Sequence, residues 1–314
     1  MALAKRWVEE QTRDTISTLQ CAEQHNAGRG FALVRFVTDS RRQVWLKAVG
    51  PSNLRELSVT RLLAVSSPAQ LPAIIGERPE WNGWLMDDAG KTMRECNEPT
   101  ALAAATSCLA AIQLATRTLV ERLIDAGATD YRCNRLLPAI APVTAFLIDA
   151  MRRQVSTRSQ PLSETEVMEI GIGVRRACEE VEELQIPDTL LNNDLNSGNL
   201  LVTDDRCVIT DWCEAGVGMP FVSFHDLCRM NSECSLEMRE IYSRLWQDYL
   251  SSKQTKRALA LAPLLSIFCK LHGRGDWLGT DTEMKPWFQS YARTLAREMH
   301  RSVREAFAPG AIQC

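Results

Sequence analysis

The stretch that most constrains the fold runs from Leu190 to Gly218, LLNNDLNSGNLLVTDDRCVITDWCEAGVG. From about Thr100 onward the sequence is dominated by helical periodicity, and this is its one strongly β-like, loop-rich interruption. Two apolar runs, 199–203 and 207–210, flank the polar turn Asp204-Asp205-Arg206 and read as a short hairpin. The hairpin sets Asn199 at the start of one strand and Asp211 at the end of the next. Asp194 lies in the preceding loop, so three oxygen-bearing side chains are expected to converge.

Their chemistry is complementary. A carboxylate at 194 can orient an acceptor hydroxyl and take its proton, while the Asn199 amide oxygen and the Asp211 carboxylate are hard ligands suited to Mg²⁺. Such a set fits phosphoryl transfer, where positioning and charge stabilisation carry the catalysis. Taken alone, Asp194 is also an ordinary turn residue, since Asn, Asp, Ser and Gly all favour turns.

The first ninety residues differ in pattern from the rest. FALVRFVTD (31–39) and RQVWLKAVG (42–50) are β-rich runs joined by a polar turn, a hairpin pattern. The segment LRELSVTRLLA, which follows Pro51, has helical spacing. Residues 73–75 and 83–86 read as strands around a turn at 78–82. Beyond residue 100, helices are expected over 101–126 (ended by Gly127), 164–184, 235–251, 256–272 (interrupted by Pro263) and 284–306.

Composition mainly excludes. A net charge of −3 over 314 residues provides no basic field for nucleic acid or an anionic membrane. Eleven cysteines include no C-x-x-C pair, which favours reduced, buried thiols over a zinc site or disulfide framework. The N-terminus lacks a signal-like apolar core, and the apolar runs near 101–115 and 258–269 fall short of the roughly 20 residues a spanning helix needs. A cytoplasmic protein is expected.

The extended pattern N-D-L-x-x-G-N, then an apolar strand, a polar turn, a second strand and D-W, resembles the catalytic and metal-binding loops of the aminoglycoside-phosphotransferase family. The N-D-L variant is also similar to choline and ethanolamine kinases. Lys47 in V-W-L-K-A-V stands where kinases place their phosphate-binding lysine, and Glu56 follows in the next helix. The stretch 84–90, WLMDDAG, resembles the family's hinge, whose backbone binds adenine, here at Asp87 and Ala89. Asn192 departs from the family's usual histidine. No glycine-rich phosphate loop is evident either, because Gly28 and Gly30 read better as an ordinary hairpin turn.

The resemblance implies an α+β, protein-kinase-like bilobal fold: a β-rich N-lobe (1–88) with one helix, and a larger, mostly helical C-lobe (89–314). It implies that ATP, with GTP left open, binds with Mg²⁺ between the lobes. Lys47 would grip phosphates, Glu56 would position it, Asn199 and Asp211 would hold the metal, and Asp194 would act as base. The acceptor is a small hydroxyl compound, aminoglycoside-like or an amino alcohol, with a cationic acceptor left open. The rival readings are a pseudokinase without turnover and a choline- or ethanolamine-type metabolite kinase. Glu214 and Asp226 read either as acceptor-pocket carboxylates or as surface or capping groups. Trp277 and Trp287 read as core in preference to an aromatic wall. The oligomeric state is not legible.

Overall fold

The computed structural model describes residues 1–17, 22–28, 30–96, 99–203, 206–230, 235–273 and 277–308. In chain order its elements are α1 (Ala2–Thr12), β1 (Ala22–Ala27), β2 (Phe31–Val37), β3 (Gln43–Val49), α2 (Arg55–Ser66), β4 (Ile74–Arg78) and β5 (Gly83–Asp87). There follow β6 (Lys91–Thr92), α3 (Met93–Cys96), α4 (Pro99–Thr116), α5 (Val120–Asp125), β7 (Thr129–Asp130), α6 (Cys133–Arg152) and α7 (Glu164–Glu183). The remainder comprises β8 (Thr189–Asn192), β9 (Leu200–Val202), β10 (Cys207–Ile209), β11 (Ala215–Gly218), α8 (Phe221–Arg229), α9 (Ser235–Trp246), α10 (Ser252–His272) and α11 (Pro286–Ala306). The fold class is α+β, as the sequence implies.

Two compact units result, one of residues 1–128 with 194–215, the other of 129–193 with 216–314. They do not coincide with a division after residue 88, which rests on the change from β-rich to helical sequence. The difference has a structural cause. β6 pairs antiparallel with β9, and β9 with β10, so the hairpin that follows the Asp194 loop joins the first unit. The turn residues Asp204 and Asp205 lie outside the described residues.

The first unit is built on a five-stranded antiparallel sheet of order β1-β2-β3-β5-β4. Strand alternation sorts its side chains. Val34, Phe36, Val44, Leu46 and Leu85 pack with Trp7 and Val8 of α1. On the other face Val49 and Trp84 meet Leu57 of α2. Lys47 has the parity of Val49, which turns it away from the α1 core. The 31–39/42–50 hairpin is β2–β3, in the register Phe31↔Val49 to Val37↔Gln43. The turn read at Gly28 and Gly30 spans residue 29, outside the described residues; the Gly28 N–H donates to the Phe31 carbonyl at 2.9 Å.

Helix boundaries depart from expectation in several places. The helix expected over 101–126 is two helices, α4 and α5, split after Thr116. There the Thr116 hydroxyl bonds the Ile112 and Gln113 carbonyls, and Leu119 N–H closes a turn onto Thr116. α10, by contrast, runs straight through Pro263. The second unit packs α6 and α7 with α8, α10 and α11, beside a small sheet of order β7-β11-β8. α6, which lies outside the apolar runs near 101–115 and 258–269, is long and apolar enough to cross a membrane by length and composition. Half of that apolar window is buried inside the protein.

Candidate active site

Lys47 leaves the middle of β3 and enters a nearly water-free environment, with only 7% of its side chain exposed. Its Nζ lies 2.5 Å from Glu56 Oε1, on the first turn of α2, and 3.1 Å from Asp211 Oδ1. The rings of Phe31 and Trp84 stand about 6 Å from the ammonium. One cation thus faces two carboxylates from separate elements. Glu56 is 2% exposed, whereas Asp211 is 30% exposed and so retains contact with water.

Burial and charge compete at each member of this triad. For Lys47, burial works against the ammonium, but Glu56 and then Asp211 overcome it and hold its pKa above the ordinary lysine value. For Glu56, burial dominates; Lys47 offsets it and Asp211 adds to it, leaving the carboxyl pushed up to about 7. Asp211 is depressed despite its burial, because Lys47 and the hydrogen bonds of Cys213 favour its charged form.

Asp211 has φ 60°. A non-glycine residue in this left-handed region is strained, by about 1–3 kcal/mol, and persists only where the surroundings over-determine it. Here they do. Arg55 Nε holds the Cys213 carbonyl at 2.8 Å, and the Lys47 ammonium lies 3.1 Å from the Asp211 carboxylate. Trp212 itself is buried, with its indole N–H donating to the Ile209 carbonyl at 3.2 Å.

The Asp194–Asn199 loop is tied together by its own polar groups. Asn199 Nδ2 donates to the Asp194 carbonyl at 2.9 Å and lies 3.4 Å from Asp194 Oδ2. Asn196 Nδ2 also donates to the Asp194 carbonyl, and Asn196 Oδ1 accepts from the Gly198 N–H. Asp194 is exposed. Thr210 N–H donates to the Asn199 carbonyl at 2.9 Å, which fixes the loop beside the residue preceding Asp211. Asn192, at the point of departure from the family pattern, is buried on β8, where the Ser223 hydroxyl of α8 both accepts from its N–H and donates to its carbonyl.

Among the described residues no three His, Cys, Asp or Glu side chains cluster to hold a metal. The Asn199–Asp211 pair nonetheless fits Mg²⁺ in kind. The Asn199 amide nitrogen is committed to Asp194, which leaves its oxygen as a donor, and a partly exposed carboxylate is the usual companion for an ion that keeps several waters.

Asp87 and Asp88 end β5 in a braced conformation. Arg42 grips Asp87 Oδ1 through two nitrogens, at 2.9 and 2.6 Å, and the Trp45 indole N–H donates to Asp88 Oδ1 at 2.7 Å. The backbone N–H groups of Asp87 and Asp88 bond the Ala73 and Gln43 carbonyls. The Ala89 N–H makes no such backbone bond among the described residues. Gly90 then turns with φ +108°, where a Cβ would come within 2.5 Å of the Val202 carbonyl oxygen, so only glycine lets β6 reach β9.

No protein-family model matches the sequence, and no curated protein matches it either. Solved structures do. The macrolide 2'-phosphotransferase of Brachybacterium faecium aligns with a TM-score of 0.60 at 12% identity, over 92% of this chain and 95% of that one. Plasmodium vivax ethanolamine kinase aligns at 0.58 and 13%, over 94% and 86%. The fold is that of the aminoglycoside phosphotransferases and choline kinases. A spectinomycin phosphotransferase in complex with ADP and spectinomycin shares this fold at 0.57 and 13%, over 98% of this chain and 97% of that one.

Within this aminoglycoside-phosphotransferase and choline-kinase fold, Lys47, Glu56 and Asp211 meet directly, and Asp194 and Asn199 meet each other. Asp226 is buried and bonded to Ser266 and Lys270, so it is not a surface carboxylate. Trp277 is core, packed on Phe146 and Phe288, while Trp287 is 62% exposed. Sequence reasoning misses Arg42, Trp45, Arg55 and Cys213. Their partners lie 45, 43 and 158 positions away for the first three, and no local motif marks such contacts. Cys213 alone offered a signal, standing two residues after an aspartate whose carboxylate can bond its N–H.

Proposed function

We propose that the protein is a small-molecule kinase that transfers the γ-phosphoryl of ATP, or of GTP, to a hydroxyl of an aminoglycoside-like or amino-alcohol acceptor. The observation that carries this reading is the buried contact of Lys47 with both Glu56 and Asp211, from three separate elements, in the unit that also holds the Asp194–Asn199 loop. A lysine kept charged beside two carboxylates is ready to exchange part of that pairing for nucleotide phosphate oxygens. That similar folds include small-molecule phosphotransferases, one of them with ADP bound, supports the same reading.

In the reaction, the acceptor hydroxyl oxygen attacks the γ-phosphorus, the bond to the β–γ bridging oxygen breaks, and the nucleoside diphosphate leaves. Asp194, exposed and anchored through Asn199 and Asn196, takes the hydroxyl proton. Lys47, positioned by Glu56, binds phosphate oxygens. Asn199 and Asp211 would hold Mg²⁺, which when bound neutralises charge on the phosphates. The Asp87 carbonyl and the Ala89 N–H are the backbone groups for the base. A cytoplasmic setting, expected from the cysteine spacing, is part of the same proposal.

The test is nucleoside-diphosphate release from MgATP and MgGTP across aminoglycosides, choline, ethanolamine and macrolides, with Asp194→Ala alongside. Acceptor-dependent release that vanishes in the variant is expected. Equal release by the variant removes Asp194 from the mechanism.

A further inference from the structure

Arg55 opens α2, one residue before Glu56, and its side chain runs the opposite errand. Its Nε donates to the Cys213 carbonyl at 2.8 Å, and its Nη1 lies 3.4 Å from the Gly127 carbonyl. The stem passes so close to Gly127 that a Cβ there would come within 2.8 Å of Arg55 Cβ. Cys213 lies two residues after Asp211, and its N–H and thiol favour the charged form of that carboxylate. The first residue of α2 therefore ties down the turn that follows Asp211.

We infer that Arg55 is a positioning residue for the metal-binding carboxylate, acting through Cys213. This rests on the reading of Asp211 as a Mg²⁺ ligand given above. The physical need is evident in the backbone. Asp211 sits at φ 60°, and a left-handed aspartate relaxes unless its turn is held from outside. Lys47 restrains the Asp211 carboxylate at 3.1 Å through an ammonium whose rotatable donors impose no single direction. The guanidinium on the Cys213 carbonyl fixes the peptide that follows Cys213, and with it the course of the turn that carries Asp211. Arginine suits the task because its planar donors keep a fixed geometry.

The experiment is calorimetric titration of ADP into the full chain, with Mg²⁺ and separately in EDTA, for wild type, Arg55→Met and Asp211→Asn. Arg55→Met is expected to weaken Mg-dependent ADP binding about tenfold, equivalent to about 1.4 kcal/mol, with metal-free ADP affinity unchanged. Equal weakening with and without Mg²⁺ overturns the inference, because a merely structural role predicts that pattern. Unchanged binding in Arg55→Met beside impaired Asp211→Asn overturns it alone. Unchanged Mg²⁺ dependence in both variants overturns the metal-ligand reading, and the inference falls with it. Should Arg55→Met fail to fold, Arg55→Lys decides, since it keeps the charge and loses the fixed planar donors. Weaker Mg-dependent ADP binding with metal-free affinity unchanged is the expected result. Wild-type Mg-dependent affinity in Arg55→Lys overturns the inference.

Discussion

Replacing Lys47 with methionine keeps the length of the side chain and removes the cation that Glu56 and Asp211 share. Glu56 is then a carboxyl at 2% exposure without its counter-ion. With Lys47 present its pKa is about 7 against an ordinary 4.5, and Lys47 is the largest influence lowering it. In the variant it rises further, so Glu56 stays protonated at pH values where the wild type ionises. The sign follows by linkage: above pH 7 the folded variant holds a proton that the folded wild type has released, so the variant loses stability relative to wild type as pH rises. At about 1.36 kcal/mol per pH unit, the Glu56 contribution is about 0.2 kcal/mol at pH 6.5 and about 2 kcal/mol at pH 8.5. Asp211 reaches solvent and adds little slope. Urea unfolding of wild type, Lys47→Met and Lys47→Met/Glu56→Gln across that range reads it directly. The double variant should lose the slope. A Lys47→Met destabilisation equal at both pH values, or a slope that survives Glu56→Gln, refutes the reasoning.

Other sites make independent predictions. His225 is pushed down to about 4 by burial, with Arg229, Lys270 and Arg239 adding to the effect. Its contribution to stability is complete above its ordinary 6.5 and is lost as pH falls towards 4. Wild type should lose about 2 kcal/mol between pH 7.5 and 5 relative to His225→Asn, measured from denaturation midpoints. Gly90→Ala forces a Cβ towards the Val202 carbonyl at a left-handed φ, and should destabilise by roughly 1–3 kcal/mol in the same assay. Asp194→Ala should abolish phosphoryl transfer in a diphosphate-release assay while its affinity for the nucleotide stays close to wild type.

The parts of this fold that were legible in the sequence are those written in local patterns. The β2–β3 hairpin follows from alternation in FALVRFV and QVWLKAV, and that alternation also decides which face Lys47 takes. The Asp194–Asn199 loop was legible because its turn residues and flanking apolar runs lie within one short stretch. α6 was not, since Pro138 and Pro142 mask a helix whose apolar face packs on α7 and α11. β1, AEQHNA, is a polar edge strand without an apolar alternation, paired to β2 through its backbone and the Glu23–Arg35 ion pair. The 101–126 pattern reads as continuous because the break after Thr116 carries no glycine or proline. Least legible was the bracing of the site. Arg55 and Cys213 meet across 158 positions, and only the folded chain brings their polar groups together.

The most direct test of the central claim is titration of MgATP, as its non-hydrolysable analogue, into wild type and Lys47→Ala. Saturable binding at one site is expected in the wild type, with a loss of about tenfold or more in the variant from removal of a charge-assisted contact. No binding to the wild type, or equal binding to both proteins, would contradict it.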